Sequence, residues 1–112
     1  MIEKTILDYL AEQMSPIPVY METPENVPQK YYLLQKTASG TENHINRATF
    51  AIQSISSESL LEAATMNEDI KIAIGGIIYA ADISKAELNS DYNFTNSQTK
   101  EYRYQAVYNF VY

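Results

Sequence analysis

The chain contains no cysteine, which removes structural disulfides, thiolate zinc sites and thiol catalysis together. It has one histidine and no tryptophan. A metal site built on that single histidine, His44, would need carboxylates converging on it. No Gly-x-Ser-x-Gly elbow is present to expose a serine nucleophile, and neither glycine-rich phosphate fingerprint surrounds Gly75-Gly76. Basic residues are scarce as well: eight Lys and Arg stand against 14 Asp and Glu, for a net charge of −6. They are scattered singly, so tracking along nucleic-acid phosphates is not expected. Long hydrophobic runs are missing. The most apolar stretch, "IKIAIGGIIYAA" at 70–81, is too short to span a bilayer and is broken by Lys71 and the glycine pair. The opening "MIEKTILDYLAEQM" has no basic start, apolar core and small-residue cleavage site, so a cytoplasmic location is expected.

What the chain has in excess is tyrosine, ten in 112 residues. A tyrosine ring is apolar with a polar end, which suits half-buried sheets and subunit interfaces equally. A length of 112 residues fits one domain, which buries roughly two-thirds of its unfolded surface.

Apolar residues Ile6, Leu7, Leu10 and Met14 recur at helical spacing over 2–14 and predict an amphipathic helix. The proline-rich "SPIPVYMETPENVP" forbids its continuation and leaves 19–22 as a short edge strand. "KYYLLQKT" at 30–37 reads as a strand, "ASGTENHIN" as a polar loop, and "RATFAIQSIS" at 47–56 as the next strand, so 30–55 is a hairpin with a long, mobile tip. Alternation along 47–56 leaves neither face cleanly apolar: Phe50, Ile52 and Ser54 oppose Ala51, Gln53 and Ile55. One face should lie under helices, and the other should meet water or a second copy of the chain.

Ser59 with Glu62 fits a capping box for a helix beginning near 58. Leu60, Ala63, Ala64, Ile70 and Ile74 mark its apolar side, with Asn67 as an intruder, and Gly75-Gly76 is its expected stop, with fraying as far as Tyr79. "EYRYQAVYNFVY" then alternates strictly. Tyr102, Tyr104, Ala106, Tyr108, Phe110 and Tyr112 fall on one face; Arg103, Gln105, Val107, Asn109 and Val111 fall on the other. Tyr92 and Phe94 precede "TNSQTK", which predicts a second hairpin, again with a mobile tip. The order α, β, β, β, α, β, β predicts an α+β fold, with two helices packed on one face of a mainly antiparallel sheet of four to five strands.

No constellation for catalysis emerges. His44 reads as an exposed loop histidine, and Glu58 with Glu62 as the solvated first turn of a helix. The tyrosine stripe at 102–112 lacks the interleaved cations of a base-stacking platform.

Three stretches together, "NHINRATFAIQSISSESLLEAATMNEDIK", "LNSDYNFTN" and "EYRYQAVYNF", resemble the small tail-terminator or tail-completion proteins of long-tailed bacteriophages and prophages. The resemblance covers residues 17–112. It implies a non-enzymatic virion subunit, made in the host cytoplasm, that assembles with itself as a ring, commonly six-membered, on the head-proximal end of the tail tube. There it would stop tube polymerisation and join the head connector, so the expected partners are other copies, the major tail tube protein and the head-closure protein. DNA would pass through the lumen without specific binding, since an acidic wall does not retain phosphates. No cofactor, metal or membrane is implied. Gly75-Gly76 departs from the helix-forming residues expected there, and Ile55 stands where an aromatic is expected. Tyr104 and Tyr108 are assigned to the core, and the contacts between subunits to the mixed polar residues Asn43, His44, Arg47, Gln53, Arg103, Gln105 and Asn109. The rival reading is a cytoplasmic adaptor or binding module that stays a fixed monomer or dimer.

Overall fold

The computed structural model describes residues 1–96, 98 and 101–112. In chain order its elements are α1 (Ile2–Gln13), β1 (Val19–Tyr20), β2 (Lys30–Glu42), β3 (Ile45–Ser56), α2 (Leu60–Gly75), α3 (Ile77–Ala80), β4 (Lys85–Asn93) and β5 (Tyr102–Val111). The fold is α+β. Its five strands form one mixed sheet in the order β1-β2-β3-β5-β4, in which only β1 runs parallel to its neighbour. No helix among the described residues is long and apolar enough to cross a membrane.

The first helix follows its sequence pattern. Ile2, Ile6 and Leu10, each one turn apart, are buried, and Lys4 reaches Asp8 at 2.7 Å on the exposed side. The second begins at the expected cap: the Ser59 hydroxyl accepts the Glu62 backbone N–H at 3.0 Å. The reciprocal half of the capping box is not made, because the Glu62 carboxylate instead takes the Ser56 hydroxyl at 3.0 Å. The buried side of α2 is Ala63, Met66, Asn67, Ile70 and Ile74. Leu60, expected on that side, is 38% exposed, because it sits at the first helical position, one turn before the buried stripe starts at Ala63.

The α2 helix stops at Gly75, and a third, one-turn helix follows the pair. A side chain is unwelcome at Gly76, where a Cβ would lie 3.1 Å from the Tyr9 hydroxyl. That hydroxyl donates to the Ala73 carbonyl at 2.6 Å and ties α1 to the end of α2.

Buried residues of α1, α2 and α3 form one core with Tyr32, Leu34, Phe50, Ile52, Ala106, Tyr108 and Phe110, which alternate along β2, β3 and β5. Cross-strand pairing places Phe50 beside Tyr108, and Ile52 between Leu34 and Ala106. Phe110 meets Phe50 edge-on at 5.7 Å between ring centroids and stacks on Tyr108 at 6.0 Å. Tyr108 is thus a core residue as expected, whereas Tyr104 is only half-buried.

Residues 38–46 are not a loop. Both strands run on through them, pairing from Ala38 with Thr49 out to Glu42 with Ile45, and only Asn43 and His44 form the turn. Those two residues have φ of 51° and 64°, as a two-residue hairpin turn of type I′ requires. Asn tolerates positive φ by bonding its own backbone region, so the turn signal lay in Asn43 alone. A bulge at Thr37 separates this arm from the body of the hairpin. Of the second expected tip, 95–100, residues 97, 99 and 100 lie outside the described residues.

Candidate interaction surface

The second face of the sheet carries most of the residues expected to contact a neighbour, and its centre is already occupied by the subunit itself. Ala51, Gln53 and Ile55 are 4%, 6% and 0% exposed, so neither water nor a second copy is needed to cover this part of β3. Ile55 packs with Tyr31 and Leu33 in a small cluster against which Tyr20 also lies. The Tyr20 and Tyr31 rings meet edge-on at 6.0 Å.

Beside that cluster a polar belt crosses the sheet from β2 to β4. The Tyr31 hydroxyl donates to Glu101 at 3.0 Å, and Arg103 donates to the other oxygen of the same carboxylate at 3.4 Å. Arg103 also donates to the Gln53 side-chain oxygen at 2.7 Å. The Gln53 amide donates to Gln105 at 3.0 Å, and the Gln105 amide to the Tyr92 hydroxyl at 2.6 Å. Every member is spoken for, which is the condition under which buried amides and a guanidinium are tolerated. Burial and the hydrogen bond to Glu101 push the Tyr31 hydroxyl up to about 12, so it stays a donor at neutral pH. Gln53, Arg103 and Gln105 therefore spend their polar groups inside the subunit.

The remaining expected contact residues sit elsewhere. Asn109 is half-buried and accepts the Thr49 hydroxyl at 2.8 Å. With Arg47, Thr49, Lys85 and Glu87 it lines a shallow hollow of about 190 Å³. Asn43, His44 and Arg47 are exposed, as is every residue from Gln35 to Arg47, although the strands pair on either side of the Thr37 bulge up to the turn. The structure thus splits the seven residues into an internal belt of Gln53, Arg103 and Gln105, a hollow at the end of β5 lined by Arg47 and Asn109, and the hairpin turn of Asn43 and His44.

Nothing gathers around His44, and no group of His, Asp or Glu among the described residues is placed to hold a metal ion. Glu58 and Glu62 share a hydrogen bond that, with the charge of Glu62, holds the Glu58 carboxyl above its ordinary range. Glu58 is exposed just before the Ser59 cap and Glu62 is partly buried in the first turn of α2, with Lys30 3.9 Å from Glu62, so the pair is explained as part of the helix start.

No family model and no curated protein sequence matches the chain. Among the described residues, two exposed features of the molecule stand apart from the belt. The acidic, partly apolar helix side and the two-sided arm lie on different parts of it. Sequence reasoning missed the apolar residues that go with this surface: Ile72 at 77%, Tyr79 at 87% and Ile45 at 41% exposure. The signal available for Ile72 was its position opposite the Ile70 and Ile74 stripe on an otherwise charged helix face.

Proposed function

We propose that the chain is a non-enzymatic structural subunit of a long-tailed phage or prophage, which assembles as a ring on the head-proximal end of the tail tube, stops tube growth and joins the head connector. The observation that carries the reading is the arm: strands hydrogen-bonded out to a tight turn yet exposed on both faces from Gln35 to Arg47. Arg47 still pairs with Val111 of β5, and residues 41–46 run on beyond it as a two-stranded tip; such a ribbon gains little stability in water, so its extension makes sense as a contact to something outside the subunit. The resemblance of "RATFAIQSIS", "LNSDYNFTN" and "EYRYQAVYNF" to tail-terminator proteins supplies the identity of that assembly. A net charge of −6 suits a wall past which DNA slides without sticking.

Light scattering across a concentration series, with electron microscopy of the concentrated sample, tests the self-association. The expected result is a monomer when dilute and rings when concentrated or seated on tails. A monomer or fixed dimer at every concentration, with no ring on tails, would instead favour a stand-alone adaptor.

A further inference from the structure

In a chain with excess carboxylates, each described Lys side chain and Arg103 has an acidic partner within ion-pair distance. Arg47, on the exposed arm, is the one described Lys or Arg without one. Ile45 stands two residues away on the same strand, so its side chain projects from the same face roughly 7 Å along. The arm therefore presents an apolar side chain and an unpaired cation as a set.

A matching set lies on the helix side. Between the end of α1 and α2 runs an open groove of about 380 Å³ whose lining includes Met14, Ile17, Tyr32, Asp69 and Ile72. Tyr32 is fully buried, while Ile72 is 77% exposed at the rim. Asp69 and Ile72 are three residues apart on α2, hence neighbours about 5–6 Å apart on one helix face. The Asp69 carboxylate has no ion-pair partner among the described residues. Gln13 links this groove to an adjoining hollow whose lining includes Glu12 and Asp82, which extends the negative field.

We propose that this groove receives the arm of a second copy of this chain, with Ile45 entering beside Ile72 and Arg47 pairing with Asp69. The proposal rests on the assembling-subunit reading and supplies its joint. Arm and groove are different surfaces, so the contact is head-to-tail and repeats around a ring when the rotation closes. The belt of Gln53, Arg103 and Gln105 is no competitor for the arm, because its polar groups are already paired within the subunit. Glu42 pairs with Ile45 across the arm. It brings a like charge toward Asp69, so neutralising it should leave docking intact or strengthen it.

The absence of cysteine makes the test direct. Ile45→Cys and Ile72→Cys variants, each verified as folded by circular dichroism, are mixed at assembling concentration and oxidised. A disulfide-linked dimer is expected from the mixture and not from either variant alone. Adding Arg47→Asp to the first variant should lower the linked fraction at least tenfold, and adding Asp69→Arg to the second should restore it. Glu42→Gln should not reduce it. Rings seen by microscopy without the cross-link, or a cross-link indifferent to these charges, would overturn the arm-in-groove contact and leave the ring reading standing. A chain that forms no oligomer at any concentration would overturn both. Should Arg47→Asp leave rings intact but prevent their attachment to tails, the arm serves another protein and the proposal fails.

Discussion

Replacing Phe110 with alanine should lower the stability of the subunit by about 3–5 kcal/mol, the usual cost of truncating a buried aromatic ring. Phe110 is fully buried, and its ring is the meeting point of Phe50 and Tyr108. Its removal would leave a void between two rings held on adjacent strands of the sheet, where backbone hydrogen bonds resist collapse. A domain of this size has a total stability on the order of 5–15 kcal/mol, so the variant should melt far below the parent or fail to fold. Chemical denaturation read by circular dichroism checks this. A variant that melts within a few degrees of the parent would mean that the aromatic face of β5 is not the core.

Gln105→Ala should also destabilise the free subunit, by roughly 1–3 kcal/mol, because truncation would strand a buried amide and deprive a hydroxyl of its donor. Gln105 is 8% exposed and bonds both Gln53 and Tyr92. Gln105→Glu makes a sharper companion: it keeps the shape but replaces the amide donor facing Tyr92 with an acceptor, and it introduces a charge at a buried position. Its effect should be at least as large. Read from sequence alone, Gln105 belongs to an intersubunit surface, and truncation would spare the monomer's melting temperature. The hydrogen-bond belt reverses that expectation. Thermal melts of the dilute subunit separate the two, since only an internal role lowers them.

The sequence spoke clearly where one face of an element is buried and the other is not. Ile6 and Leu10 gave α1, Ala106 to Phe110 gave β5, and Ser59 with Gly75-Gly76 bounded α2, since each is a local rule with a local cause. It was silent about the arm for the same reason. Alternation presupposes a buried face, and residues 35–47 have none, so a paired ribbon of Thr, Ser, Gly and Asn reads as a loop. The turn added to the difficulty, with His44 occupying a positive-φ position where glycine would have announced a hairpin. The belt on the second face was illegible for a different reason. Gln53, Glu101, Arg103 and Gln105 look like solvent residues one at a time, and only the pairing of β3 with β5 brings them close enough to satisfy one another. Likewise Asn67, an apparent flaw in the stripe of α2, is 1% exposed and donates to Asp91 at 3.1 Å. Of the expected contact set, Arg47 is exposed and has no ion-pair partner among the described residues.

The claim that this chain caps a growing tube is tested most directly by the lengths of tail tubes assembled with and without it. Tubes are grown from a purified major tail tube protein, in the presence and absence of the purified chain, and measured by electron microscopy. With the chain present, elongation should cease and one end should carry a ring of added density; without it, tubes should grow on to long, heterogeneous lengths. Tubes whose length distribution and ends are the same in both cases would contradict the account.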